Sequence, residues 1–366
     1  MTTRRKFLSV LGGGAIFAAA GTGTFLATRT PTKALAPWTM TSEYTDPRKR
    51  ALAHALLAPN PHNRQPWLVA LSGTDRITLY RDERRTLPMT DPFHRQLFIG
   101  LGAFTELMVI AASADGYAVD LDILPEGDAG PIFTATLRRH AETDPLAAHI
   151  LNRRSTKTPF APTPLSRPQV DALSNYAQII TQSDMIETLR QITWDAFQVE
   201  TYTPHTYKES VELMRIGKAE INANPDGLEM TSPLWDALRN MGVLTNEMLL
   251  DTSNSAFQSF MADYEAMLRA TPNYAVITTP TNTRADQIDA GRRWLRLNLK
   301  TTEMGLGVHP VSQALQEYEE MATHCAHIHE LLAGPGETVQ MLGRVGYGQG
   351  SDPTPRWALE TRLLDG

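Results

Sequence analysis

The sequence predicts an α+β protein built from two related halves, and three observations carry that prediction. A grammar of short apolar strand, long helix, glycine and further strand occurs twice, in residues 77–137 and again in 274–346. A shift of 189 residues superposes Arg95 on Arg284, Ile99 on Ile288, Gly102 on Gly291, Met108 on Leu297, Ile110 on Leu299 and Gly116 on Gly305. Both long helices stop at a glycine, the residue that enters a left-handed cap without a steric penalty.

The chain opens on Thr3-Arg4-Arg5-Lys6-Phe7-Leu8, followed by an uncharged stretch from Ser9 to Thr28 rich in Ala and Gly. A basic start, an apolar middle and small residues describe an export signal. The paired arginines before Phe-Leu give it twin-arginine character, which implies passage through the Tat translocon to the periplasm or cell envelope. Ala34-Leu35-Ala36 fits a cleavage site, but Pro37 disfavours it, so an uncleaved anchor is the alternative. Residues 1–36 are thus the signal, 37–44 a tether, 45–150 the first half and 151–366 the second. Residues 1–36 carry five cations (Arg4, Arg5, Lys6, Arg29, Lys33) and no acids, so their removal takes the formal charge from -6 to -11. A body that acidic argues against nucleic acid and anionic membranes as partners. The lone Cys325 excludes an internal disulfide.

In the first half a helix is expected over Asp46–Ala58, strands over Trp67–Leu71 and Ile77–Tyr80, a long helix over Phe93–Asp115, and strands over Tyr117–Leu124 and Ile132–Leu137. The second half opens on Asn152-Arg153-Arg154-Ser155-Thr156-Lys157. It continues through early helices and an insertion at about 228–268, rich in Met and aromatic residues. Such side chains adapt to irregular apolar surfaces, which suits a lid; helical core is the simpler reading. Then come strand Tyr274–Thr278, helix Arg284–Met304, a long helix Ser312–Leu332 and strand Gln340–Gly346.

Two segments carry chemistry. Asn60-Pro61-His62-Asn63-Arg64-Gln65-Pro66-Trp67 is a rigid turn, because Pro fixes φ and Asn side chains bond nearby backbone. Its amides suit the edge of a flat heterocycle, although a helix-to-strand connector anchored by Trp67 would look the same. In an extended segment, Arg153, Ser155 and Lys157 project to one side and make an anion cradle. A solvated basic linker is the alternative. His324-Cys325-Ala326-His327-Ile328-His329 splits its ligands over two helix faces and does not converge on a metal. His62 and His205 are possible proton donors, and Arg215 and Glu220 suit either a cofactor rim or helix salt bridges.

Ala58-Pro59 and the turn after it, Arg153-x-Ser155-x-Lys157, the stretch Gly305 to Gln313, and Arg356 in Pro355-Arg356-Trp357 together resemble the nitroreductase superfamily, and its fused Acg-type branch in particular. The resemblance covers most of residues 45–360. It implies a nitroreductase-like, FMN-dependent fold duplicated as an internal pseudo-dimer, in which two related sheets pack back to back and the chain works as a monomer. Arg153 would face the phosphate, Ser155 the phosphate or ribityl chain, and Lys157 the flavin N1/O2 edge. Arg356 would complete the phosphate site. Pro59, Asn60, Pro61, His62, Asn63 and Gln65 would line the ring, together with Pro310, Val311, Ser312 and Gln313, an N–H near Ser312 facing N5. The first half has the turn without the Arg-x-Ser segment and the second half the reverse, which leaves one complete FMN site between them. The implied activity is two-electron reduction of a small electron-poor acceptor, a nitroaromatic or quinone. The donor would be NAD(P)H or, outside the cytoplasm, a membrane quinol or redox partner. A non-catalytic flavin-sequestering protein with a closed lid is the alternative.

Overall fold

The computed structural model describes residues 29–140 and 142–364. The signal expected over residues 1–36 lies largely outside them.

Helix α1 (Pro47–Ala55) starts at Asp46, whose carboxylate accepts from the Arg48 N–H, with Pro47 at the first helical position. Strands β1 (Trp67–Ser72) and β2 (Arg76–Arg81) form a hairpin across Gly73, which sits at φ +54. Helix α2 (Arg95–Ala114) follows, its first turn held by Asp91, whose carboxylate accepts from the N–H groups of Gln96 (3.0 Å) and Leu97 (2.9 Å). Strands β3 (Tyr117–Ile123) and β4 (Phe133–Arg139) complete an antiparallel sheet in the order β1-β2-β4-β3. In the second half come β5 (Gln178–Ile180), α3 (Ser183–Tyr202), a parallel pair of β6 (Met214–Ile216) and β7 (Leu228–Met230), and α4 (Ser255–Arg269). They are followed by β8 (Asn273–Thr279), α5 (Arg284–Glu303), β9 (Gly307–Pro310), α6 (Ala322–Leu332) and β10 (Thr338–Gly346). The second antiparallel sheet has the order β5-β8-β10-β9.

The two sheets share one plan: an edge strand, a second strand, a 20-residue helix, then two strands that pair next to the second. Helices α2 and α5 start and stop at positions 189 apart, and Gly116 and Gly305 cap them at φ +77 and +67. They pack against each other reciprocally. A Cβ on Gly102 would collide with the Ile288 carbonyl, and one on Gly291 with the Ile99 carbonyl. Such contact of i on j and j on i marks a two-fold arrangement.

The helix pair corrects one expectation: the sheets do not pack directly back to back. Ile288, Leu295 and Leu299 of α5 join the core under the first sheet, and Ile99 of α2 joins the core under the second. In β8 the side chains alternate faces as a strand requires, Ala275 and Ile277 toward α5, Tyr274 and Val276 toward α3, α4 and α6. By length and composition α2 could cross a bilayer, but 89% of its apolar window is buried in the fold, so here it is a core helix.

Two other expectations change. The long helix over Ser312–Leu332 is interrupted, with short 3-10 turns at Ser312–Leu315 and Glu319–Met321 before α6. Arg95 takes the Leu315 carbonyl at 2.6 Å and pairs with Glu317 at 3.3 Å, so the hydrogen bonds that would extend the helix go to a guanidinium. Residues 37–44 are no free tether. Trp38 is buried, and its indole donates to the Thr354 carbonyl at 2.8 Å. Ala34, in a single turn over Thr32–Leu35, is buried between Asn222 and the Arg356 N–H.

The C-terminal segment crosses back to the first half. It bridges Val69 to Leu363 in parallel at the β1 edge and sends Leu359 into the first core. That crossing brings residue 356 beside residues 57–63.

Candidate functional site

The Asn60–Trp67 turn is strained and locked. His62, Asn63 and Gln65 stand at φ +45, +50 and +52, a region that side chains other than glycine avoid. Such strain persists only where the surroundings over-determine it. Asn60 staples the turn, its carboxamide accepting from the Gln65 N–H (2.7 Å) and donating to the Ala58 carbonyl (3.2 Å). The Gln65 amide is fully buried and committed to main chain, accepting from the Trp357 N–H (2.9 Å) and donating to the Pro225 carbonyl (2.7 Å). Asn63 donates to the Pro355 carbonyl (3.0 Å) and accepts from Arg356 (2.7 Å). Pro59 and Pro61 are half-buried beside it.

Beside the turn, two buried guanidinium groups converge. Arg153 donates to the Leu57 carbonyl at 2.9 Å, and Arg356 donates to the same oxygen and to the Ala58 carbonyl, each at 3.2 Å. Both residues are 3% exposed, and both Nε atoms are buried without a hydrogen-bond partner. Among the described residues neither has a carboxylate within ion-pair distance. Arg154 adds a third cation, its guanidinium 4.3 Å from the Trp38 ring centroid. Burial, with Arg356 and Arg154 adding, pushes Arg153 down to about 9. Burial likewise pushes Arg356 down to about 10. Buried like charges sharing one acceptor, with unmet donors, are costly unless an anion joins them.

Of the expected trio, only Arg153 goes inside. Ser155 is half-buried and Lys157 exposed, because the Thr156 N–H pairs with the Val308 carbonyl (2.9 Å) and turns its neighbours outward. Fully buried Arg344 fixes that segment, donating to the carbonyls of Thr156 and Thr158 (3.2 Å each) and of Met267 (2.6 Å). Its Nε faces His309 Nδ1 at 3.4 Å. Burial, then Arg344 and Lys157, push the His309 imidazole well below its usual range.

Pro310 ends β9 opposite Gly343, Val311 is buried, and the Ser312 hydroxyl donates to the Leu342 carbonyl at 3.2 Å. Ser312 opens a helical turn, so its N–H belongs to the group that has no intrahelical partner. Gln313 reaches the Tyr264 hydroxyl of α4. Tyr264 stacks on Phe197 of α3, centroids 3.5 Å apart and planes 9° apart, which fastens the 228–268 insertion over this region. The outer side of that insertion leaves Leu234, Met241, Val243 and Phe260 exposed.

The remaining candidates lie elsewhere. Arg215 pairs with Asp226 (3.0 Å) and Glu220 with Arg239 (2.7 Å), which are salt bridges. His205 sits at the surface 3.8 Å from Glu320. In α6, His329 Nδ1 rests on the Cys325 carbonyl at 2.8 Å. Two open clefts of about 400 and 490 Å³, near Phe93 and near Glu142, touch none of the site residues. The site is marked by charge and unmet hydrogen bonds.

No family model matches the chain. Over 126 residues it is 33% identical to the uncharacterized protein Rv3127 of Mycobacterium tuberculosis, 31% of this chain and 35% of that one. Over 126 residues it is 30% identical to a second protein of that organism, named provisionally as the NAD(P)H nitroreductase acg, 33% of this chain and 38% of that one. The chain thus spans between a third and two fifths of the length of these curated relatives. Among solved structures, the FMN-dependent nitroreductase NfnB of Mycobacterium smegmatis, in complex with NADPH, is similar at 14% identity and a TM-score of 0.37. That match covers 59% of this chain and 95% of NfnB.

Proposed function

We propose that this chain is an exported FMN-binding oxidoreductase of nitroreductase type, an internally duplicated pseudo-dimer holding one flavin between its halves. One observation carries the reading: Arg153 and Arg356 are buried together against the Leu57 carbonyl, with no carboxylate at ion-pair distance among the described residues. They fit a phosphate monoester, which two guanidinium groups grip through parallel hydrogen bonds. Their unpaired Nε atoms are the donors such a ligand would satisfy. The partial likeness to acg agrees with this assignment.

In this reading Arg153, Arg356 and Arg154 hold the phosphate and Ser155 the ribityl chain. Lys157, exposed in the structure, would swing in to supply positive charge at the N1/O2 edge. The turn from Pro59 to Gln65 and the segment from Pro310 to Gln313 border the ring. Bound FMN supplies two-electron chemistry, taking electrons from NAD(P)H or a membrane quinol and passing them to a small electron-poor acceptor. The protein orients the reactants and excludes water. The insertion over 228–268 acts as the lid. Its tight stacking through Tyr264 favours one competing reading, a flavin-sequestering protein whose lid never admits an acceptor.

The purified chain is expected to be yellow, with the absorption bands of bound flavin. Rapid mixing with NADPH or a quinol should bleach it, and a nitroaromatic or quinone should restore the colour. A yellow protein inert to every donor would favour sequestration, and a colourless one would sink both readings.

A further inference from the structure

Between the turn and the 3-10 segment after β9 lies a second polar cluster. Glu200 of α3 is 7% exposed, with Oε1 3.8 Å from His62 Nε2, while Oε2 accepts from Gln316 Nε2 at 3.3 Å. Tyr318, 7% exposed, and Gln316, 6% exposed, belong to the same cluster. Two of its atoms, His62 Nδ1 and Gln316 Oε1, are buried without a hydrogen-bond partner, and the Tyr318 hydroxyl lies beside Thr206. Burial, then Glu200 and Glu320, keep that hydroxyl protonated. Unmet donors and acceptors rarely gather in an interior unless something polar visits.

We infer that His62, positioned by Glu200, is the proton donor to an oxygen-bearing acceptor, a quinone carbonyl or a nitro group, that binds in this cluster. The inference rests on the flavin-oxidoreductase reading. Glu200 lies on the Nε2 side of the ring at ion-pair distance and favours a proton there, which leaves Nδ1 as the atom without a partner. His62 stands at φ +45, strain of the kind that clusters at functional sites. The bookkeeping is complete for a quinone. With reduced flavin as the two-electron donor, the hydride equivalent would end on one quinone oxygen and leave the opposite oxygen as an oxyanion. The Nδ1–H bond of the His62 imidazolium breaks, an O–H bond forms, and hydroquinone leaves. The neutral imidazole regains a proton from solvent, and the flavin is left oxidised.

The test separates proton-requiring from proton-free acceptors. The FMN-loaded chain is reduced anaerobically with dithionite, then mixed with a benzoquinone or with ferricyanide, which takes single electrons and no proton. His62→Asn, whose side chain tolerates a left-handed backbone, should slow reoxidation by quinone about a hundredfold more than reoxidation by ferricyanide. Glu200→Gln should show the same split to a smaller degree. Equal slowing with both acceptors, or none with either, would overturn the inference while leaving the flavin reading intact. In the flavin-free chain, Glu200→Gln should also move the ¹⁵N resonances of the His62 ring. Unmoved resonances would show that the carboxylate does not position it. A colourless chain would sink the underlying reading instead.

Discussion

At the scale of single residues, the interior holds charge in ways that ordinary packing avoids. Arg153, Arg344 and Arg356 are buried and bonded chiefly to carbonyl oxygens. His309, beside Arg344, is the most sensitive of these groups to pH. Its folded-state proton affinity lies well below the usual value of 6.5, so as pH falls through that value the unfolded chain takes the proton first. Stability contributed by neutral His309 is therefore present above about 6.5 and drains away below it. Replacing His309 with Gln, which still offers Arg344 an acceptor, should flatten the acid limb of stability. Urea midpoints at neutral and mildly acid pH measure this, and parallel limbs in wild type and variant would contradict it. Much at this scale was legible in the residues: the Arg-x-Ser-x-Lys and Asn-x-Gln-Pro-Trp segments singled out Arg153 and Asn63, which the structure links through Arg356 and the Leu57 carbonyl. Glu200 and Gln316 were not legible. They lie 116 positions apart and meet only because α3 folds under the 3-10 segment.

At the scale of elements, α2 and α5 set the geometry of the whole molecule. The 189-residue register was visible as a spacing of like residues, and the helices obey it at both ends. What the spacing could not reveal was that Gly102 and Gly291 face each other's helix, each against a carbonyl at the other's matching isoleucine. A methyl group there meets backbone rather than a yielding side chain. Gly102→Ala and Gly291→Ala should each cost about 3 kcal/mol, at the upper end of overpacking penalties. The two costs should be similar because the contact is reciprocal. Thermal or urea unfolding checks this, and a neutral alanine at either position would contradict the close approach. The interrupted 312–332 helix was hidden for a related reason. Its apolar periodicity is helical throughout, and the break comes from Arg95, more than 200 positions earlier in the chain.

At the scale of the molecule, the arginine cluster is assembled from four distant stretches: the Trp38 strap, the 57–65 turn, the 153–157 segment and the C-terminal crossing. The strap lies where sequence alone placed a tether and a cleavage site, because a Pro- and Thr-rich stretch reads as linker until its buried Trp is seen. Ala34 accepts from the Arg356 N–H at 2.8 Å, and Trp38 covers Arg154. A chain beginning at residue 37 should lose about 1–3 kcal/mol relative to one beginning at residue 29, the penalty for an unpaired buried donor. Unfolding midpoints of the two truncations decide this, and equal midpoints would mean that the strap adds nothing.

The account as a whole depends on two buried guanidinium groups with no carboxylate at ion-pair distance among the described residues, which the proposed phosphate would pair. Parallel titrations of FMN and riboflavin into flavin-free wild type and Arg153→Met, followed by quenching of flavin fluorescence, test this most directly. The wild type should prefer FMN by on the order of a hundredfold, as charge-assisted hydrogen bonds to phosphate imply, and the variant should bind both flavins with similar, weaker affinity. Wild-type chain that failed to distinguish FMN from riboflavin, or a variant that kept the preference, would contradict it.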